Sequence, residues 1–346
     1  MACVDVIIPL YNKQGTILRT IESVRNQRFC DWRIIVVDDG SADNGPELVR
    51  SLNDSRIDII VQENRGPGAA RNAGIAAASA PYLAFLDADD QWYPWYLENA
   101  VRAIQSHNVS FVGTTYYEWP TQIDMAGYWA RRGAREGVYE LTGAEPAGLT
   151  GSLVLFFRVW NTVVLKEAAC RCGCFYEKEK CCYGEDTVFF ARLVFNEKFA
   201  IIGPPAVRHN KQDSGLTNVQ TERVIPFLLE PKILLDYCLP DRSKLAELVI
   251  ARHALRTAHH KARNGFKEQA AGLLRRFPKT REFGFLYFKC RLEIILSRYL
   301  PYWVRFKCFV GPKLRLFVRA WKINSRESEG NFNCERYKNH GGDTGV

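Results

Sequence analysis

An apolar run, Tyr82-Leu83-Ala84-Phe85-Leu86, ends in the acidic cluster Asp87-Ala88-Asp89-Asp90. A buried strand that terminates in carboxylates delivers them to the carboxyl edge of a sheet, where oxygen ligands can hold a divalent cation against a phosphorylated substrate. Like charges packed at one strand end repel one another unless a cation or a basic partner neutralises them. A hard ion such as Mg²⁺ or Mn²⁺ suits oxygen ligands better than zinc does. The alternative is a solvated acidic turn, and the apolar lead-in weighs against it. The pattern points to a metal-dependent transfer enzyme.

Other residues have chemistry to offer. Asp38 and Asp39 end the run Val36-Val37 at a Gly40-Ser41 turn, which leaves carboxylates able to accept hydrogen bonds from a base edge or ribose hydroxyls. On its own, Asp-Gly-Ser reads better as a turn with a helix cap. Arg71 offers a planar donor fork suited to a nucleotide or diphosphate, inside a helix whose start, Gly66-Pro67-Gly68, allows close approach of a ligand. Arg65 nearby also reads as a solvated loop charge. Glu185-Asp186 opens a helix, where carboxylates are favoured by the dipole alone. His209 follows an apolar strand, and a lone histidine is more often structural than ligating.

The elements that must position these residues alternate between strand and helix. Strands are expected at Val4–Leu10, Ile34–Val37, Ile57–Val61, Tyr82–Leu86 and Phe111–Thr115. The helices between them run over 15–27, 46–52, 66–78 and from beyond Pro94 to about Asn108. This is the form of a doubly wound, mostly parallel α/β sheet. Residues 119–150, rich in Gly, Trp and Tyr, read as loops over the sheet edge. A strand follows near 153–157, then helices near 162–169 and after Gly184, and a last strand pair ending at Arg208-His209.

The order of motifs resembles glycosyltransferase family 2. It runs from Val6-Ile7-Ile8-Pro9-Leu10-Tyr11-Asn12 through Val36–Ser41, Asn64-Arg65-Gly66 with Ala70-Arg71-Asn72-Ala73-Gly74, and Asp87–Asp90, to Gly184-Glu185-Asp186. Five motifs in order over about the first 215 residues are far more specific than any one of them. The resemblance implies a GT-A fold, a nucleotide-diphosphate sugar donor, a Mn²⁺ or Mg²⁺ ion and inversion at the anomeric carbon. It also implies that Pro9, Tyr11 and Asp39, with Asp38 beside it, contact the nucleoside and that Arg71 contacts the nucleotide or diphosphate. By the same analogy Asp87 reaches the ribose, while Asp89 ligates the metal with His209 completing its shell or touching the diphosphate. Asp186, in the segment that follows Gly173, Phe175 and Glu177, is then the general base, and Glu185 orients or contacts the acceptor hydroxyl. UDP as the nucleotide follows from the resemblance alone. Ser214 and Thr217 are expected to help close the site, and Tyr116, Tyr117, Trp119, Trp129 and Trp160 to surround the acceptor interval, where core packing is the commoner role.

Bulk properties bound the rest. With 346 residues, 47% of them hydrophobic and 25% charged, a sizeable core is expected. No run of eighteen residues lacks a charge, and no basic region precedes the first apolar stretch, so cytoplasmic residence is expected. The eleven cysteines include Cys170, Cys172, Cys174, Cys181 and Cys182, whose spacing is not a standard zinc pattern and which read as free thiols, with a structural metal as the alternative.

The net charge of +9 is concentrated late in the chain, where residues 241–326 hold 21 Lys and Arg against 5 Asp and Glu. Residues 285–310 interleave aromatics with Lys289, Arg291, Arg298, Arg305 and Lys307, a composition that suits peripheral contact with an anionic membrane. No nucleic-acid recognition motif accompanies the charge, so nucleic acid is not an expected partner. The expected organisation is a catalytic nucleotide-sugar-binding domain over 1–218, a helical basic region over 219–324 and a disordered tail over 325–346. The leading reading is an inverting transferase at the cytosolic face of a membrane, acting on a glycan or lipid-linked acceptor in bacterial surface polysaccharide or lipopolysaccharide synthesis. Its competitors are a nucleotidyltransferase, disfavoured by Tyr11-Asn12-Lys13-Gln14-Gly15 in place of a Gly-rich phosphate loop, and a non-catalytic nucleotide-sugar-binding scaffold.

Overall fold

The computed structural model describes residues 2–213 and 224–296. Ser214, Thr217, the 218/219 boundary, Arg298, Arg305, Lys307 and the 325–346 tail lie outside the described residues.

The chain runs β1 (Val4–Leu10), α1 (Ile17–Arg25), β2 (Trp32–Asp38), α2 (Gly45–Ser51), β3 (Ile57–Val61), α3 (Pro67–Ala77) and β4 (Tyr82–Phe85). Next come β5 (Gln91–Trp92), α4 (Tyr96–His107), β6 (Phe111–Trp119), β7 (Ile123–Asp124), α5 (Ala126–Ala130), β8 (Gly137–Tyr139), α6 (Ala147–Phe156), β9 (Thr162–Leu165) and α7 (Lys166–Arg171). It closes with α8 (Glu185–Asn196), β10 (Phe199–Asn210), α9 (Pro226–Leu229), α10 (Lys232–Leu235), α11 (Ser243–Arg263), α12 (Lys267–Arg276) and α13 (Gly284–Leu296). The fold is α/β, with a helical region after the sheet.

The sheet order is β3-β2-β1-β4-β9-β6-β10-β5, with β7 added beside β6 and β8 beside β10. Strands β3, β2, β1 and β4 are parallel; β9 runs antiparallel between β4 and β6. Strands β1, β2 and β4 are almost wholly buried, as parallel strands covered on both faces must be. Register places the acidic edge. Leu10 lies opposite Asp38 and Ile7 opposite Phe85, so the acidic ends of β2 and β4 emerge on either side of β1. The chain order reverses between β1 and β4, and that crevice is where open α/β sheets bind ligands.

Three expectations are corrected. Residues 153–157 belong to helix α6, not to a strand. A short apolar run cannot be told from a buried helix by periodicity, and α6 is buried because it packs between α8 and α11. The helix expected over 162–169 begins as strand β9, whose β-branched Thr162-Val163-Val164 fills the slot between β4 and β6 before α7 starts at Lys166. The expected strand pair before Arg208 is the single strand β10, parallel to β6 on both sides of an irregularity between Ile202 and Val207. Residues 119–150 include β7, α5 and β8 as well as loops.

Helix α3, which carries Arg71, sits directly on β1. A Cβ at Gly74 would lie 2.4 Å from Ile7 Cγ2, a position only glycine allows. Replacing Gly74 with Val should destabilise the protein by about 2–3 kcal/mol, read as a lowered denaturation midpoint. A variant as stable as the parent would show that this helix does not press on β1.

Candidate active site

Beyond β1 the chain leaves the sheet through Pro9, Tyr11, Asn12 and Lys13. Asn12 takes the left-handed conformation and ties this turn to the next one, donating its N–H to Ser41 Oγ at 3.1 Å and accepting the Ala42 N–H at 2.8 Å. Asp39, at the end of β2, is buried and accepts three donors: Gln62 Nε2 at 2.7 Å, Arg65 N–H at 2.9 Å and Gly66 N–H at 2.8 Å. Its carboxylate thereby fixes the start of α3. Asp38 turns back to accept the Ser41 N–H at 2.9 Å and, unlike Asp39, does not line the cavity described below. That is the turn-capping role.

Arg71 is 4% exposed and bridges the two acidic segments. It donates to Asp87 Oδ1 at 2.8 Å and to Glu185 Oε1 at 3.0 Å. Burial alone would lower the guanidinium's pKa, but the two carboxylates prevail and raise it. Burial, with the Asp186 carboxylate beside it, pushes Glu185 up to about 7 against the opposing pull of Arg71.

Each aspartate of the 87–90 cluster has its own basic partner. Asp87 has Arg71, Asp89 has Lys13 Nζ at 2.6 Å, and Asp90 has His209 Nδ1 at 3.2 Å. Burial first, then Asp90 and Asp87, push Asp89 up to about 6, with Lys13 opposing. Asp90 is fully enclosed, and it also accepts the Asn210 N–H at 2.7 Å. Burial would lower His209, yet its bond to Asp90 raises it. The His209 ring stacks on Trp160 at 4.7 Å.

Pro9, Tyr11, Asp39, Arg71, Asp87 and Asp89 line one cavity of about 1010 Å³, together with Glu185, Asp186 and His209. Asp186 is partly exposed, and its Oδ2 lies 3.8 Å from Arg158 Nη1. The cluster after β4 and the pair opening α8 therefore face the same space. Lys13, Arg158 and the α11 residues His253, Arg256 and His260 share it, none of them marked by the motifs. Lys13 was visible as a cation just past the first strand. Arg158 and the α11 residues are joined to the site only by tertiary packing, which leaves no signal in spacing. Of the five aromatics, Trp160 lines the cavity, while Tyr116 and Trp129 are buried.

Among the described residues no three His, Cys, Asp or Glu side chains are gathered to hold a metal ion, at the cysteine cluster or here. The donors present are carboxylate and imidazole groups on the cavity wall. These suit a Mg²⁺ or Mn²⁺ ion, which takes one or two protein ligands and completes its shell with water and substrate phosphates. Asp89 and His209 would hold it. Lys13 now supplies the counter-charge at Asp89.

The profile described as "Glycosyl transferase family 2" matches residues 5–161, from β1 to the segment before β9. The amino-terminal part of the chain belongs to glycosyl transferase family 2. The UDP-Glc:alpha-D-GlcNAc-diphosphoundecaprenol beta-1,3-glucosyltransferase WfgD of Escherichia coli is 38% identical over 114 residues, 33% of this chain and 45% of that protein. The succinoglycan biosynthesis protein ExoO of Rhizobium meliloti is 46% identical over 92 residues, 26% of each chain. The chain spans less than half the length of the curated relatives it matches.

Among solved structures, S. aureus TarS in complex with UDP-GlcNAc superposes with a TM-score of 0.52 at 17% identity, covering 86% of this chain and 81% of that one. The mannosyltransferase PcManGT of Pyrobaculum calidifontis, in complex with GDP-Man and Mn²⁺, superposes with a TM-score of 0.51 at 18% identity, covering 86% and 84%. These two likenesses, at such identities, show a shared fold, α/β of the GT-A type.

The raised Glu185 gives a pH signature. A carboxyl whose folded pKa lies above its unfolded value binds more protons when folded, so its contribution to stability falls as pH rises from about 4.5 to about 7. His253, pushed down to about 3 chiefly by burial, works in the opposite sense below its unfolded value of 6.5, so wild type is compared with Glu185→Gln at each pH. Between pH 5 and 7.5 the wild type should lose stability relative to the variant in denaturant titrations. A difference independent of pH would contradict the assignment.

Proposed function

We propose that this chain is an inverting, metal-dependent glycosyltransferase. It moves a sugar from a UDP-sugar to a hydroxyl of a glycan or lipid-linked acceptor during synthesis of a bacterial surface polysaccharide or lipopolysaccharide. The observation that carries the reading is that Asp89 and Asp186, from segments about a hundred residues apart, line one cavity at the switch point of the sheet. A UDP donor is supported by WfgD, named for UDP-Glc, and by TarS, solved with UDP-GlcNAc, whereas PcManGT was solved with GDP-Man.

The residues divide the work. Pro9, Tyr11 and Asp39 flank the nucleoside, Asp39 through the turn it holds rigid, and Asp87 meets the ribose. Asp89 and His209 would hold a divalent ion, which would supply charge neutralisation for the departing diphosphate. Lys13, beside Asp89, adds a positive charge at the same end of the cavity. Arg71 keeps Asp87 and Glu185 in place, and Glu185 orients the acceptor hydroxyl. Asp186 takes the proton from that hydroxyl as its oxygen attacks the anomeric carbon opposite the leaving group, with Arg158 Nη1 standing 3.8 Å from the carboxylate. The sugar passes through an oxocarbenium-like state, and no covalent enzyme intermediate is needed.

No helix among the described residues is long and apolar enough to cross a membrane. Helix α13 exposes Leu286, Phe288, Leu292 and Ile295 alongside Lys289 and Arg291, which supports peripheral contact of the 219–324 region with the cytosolic face of an anionic membrane. Asp186→Asn keeps the side chain's shape and removes the base. In a sugar-transfer assay it should lower kcat by roughly 10²-fold or more while UDP still binds. Transfer at the parent rate would refute Asp186 as the base.

A further inference from the structure

The cavity that holds the acidic residues continues beyond Asp186. It adjoins a second cavity of about 460 Å³, and the two share Leu155, Arg158, His253 and Arg256. The second cavity is cationic. Arg132, Arg158, Arg252, Arg256 and Lys289 line it against one carboxylate, Glu118, which Lys211 Nζ already holds at 2.6 Å.

Three of these guanidinium groups surround a single buried ring. His253 is 4% exposed, lines both cavities, and its Nε2 has no hydrogen-bond partner among the described residues. Burial and then Arg256, Arg252 and Arg158 keep its imidazole neutral. Arg252 is half-buried beside the small residues of α6, where a Cβ at Gly148 would already meet its Cζ at 3.4 Å. Burial and the charge of Arg256 lower its pKa. Arg256 makes no ion pair or hydrogen bond among the described residues. Arg252 has no ion pair among the described residues either, and Arg158 has only Asp186, at 3.8 Å; guanidinium groups gathered with so little counter-charge raise the energy of the empty site, and an anion lowers it. The planar donor fork of arginine fits phosphate oxygens best.

The wall is also partly apolar. Met125, Tyr128, Leu255 and Leu286 line it, and Leu286 begins the exposed apolar surface of α13. A charged group joined to a hydrocarbon chain would satisfy both features.

We propose that Arg158, Arg252 and Arg256, with His253, form a second anion site that grips the phosphate or diphosphate of the acceptor and so presents its sugar hydroxyl to Asp186. This rests on the glycosyltransferase reading above and specifies its acceptor as a phosphate-bearing one. Arg158 lies 3.8 Å from Asp186, linking the grip to the base.

The test is calorimetric, on the full chain with the nucleotide site filled by UDP and excess Mg²⁺. Inorganic pyrophosphate and farnesyl diphosphate in detergent micelles are the probes. Both should bind in the presence of UDP, and Arg256→Gln and Arg252→Gln should each weaken binding about ten-fold, with Arg256→Lys partly restoring it. Arg256 is exposed, so its replacement should leave the fold intact, and UDP affinity on the same variant checks this. Farnesyl diphosphate binding at least ten-fold tighter, and weakened by Leu286→Ser, assigns the site to a lipid-linked acceptor; equal affinities assign it to a soluble phosphate ester. If UDP binds but neither diphosphate does, or if both arginine variants bind as the parent does, this inference is overturned while the functional reading stands. If UDP itself fails to bind, both are overturned.

Discussion

One buried guanidinium joins the two halves of the site. Arg71 contacts Asp87 at the end of β4 and Glu185 in the first turn of α8, segments that reach the cavity from different parts of the chain. The energetic balance of such a triad is narrow, because removing three charges from water costs nearly what their attraction returns. The raised Glu185 shows that desolvation still weighs on it. Loss of one partner would nevertheless strand the others, at a cost of about 3–5 kcal/mol. What the triad secures is register: it fixes where Asp186 stands relative to Asp87 and Asp89.

The same economy governs the aspartate cluster. Asp87, Asp89 and Asp90 sit within four residues, and the fold gives each a different base, namely Arg71, Lys13 and His209. Asp90 is enclosed and fixes His209 against Trp160, whereas Asp87 and Asp89 open onto the cavity. Ligand-facing and structural carboxylates are thus adjacent in sequence and separated by which neighbours cover them. A cation at Asp89 would share that carboxylate with Lys13, which links metal binding to the position of the β1 turn.

Much of this was readable in the residues. The parallel core was legible because β1 to β4 are short runs rich in Val, Ile and Leu that alternate with helical patterns, and the acidic edge followed from what ends β2 and β4. Glu185 and Asp186 were legible only through their order among the other motifs, since a helix start explains two carboxylates equally well. Asp38 and Asp39 look alike in sequence, and only their partners distinguish a turn cap from a cavity residue. Helix α6 and strand β9 were misread because short apolar stretches take their form from the slot they fill. The cationic wall from α11 was not legible at all: Arg252, His253 and Arg256 sit at ordinary helical spacing, and their meeting with Arg158 arises from the packing of α11 on α6.

A crystal structure of the protein with UDP and Mn²⁺ tests the central claim most directly. The account predicts the nucleotide in the crevice between β1 and β4, its uridine beside Tyr11 and Asp39, its diphosphate and ion at Asp89, and the Asp186 carboxylate across open space from the outer phosphate. A nucleotide bound elsewhere, or one in this crevice with Asp186 turned away from the phosphate, would contradict it.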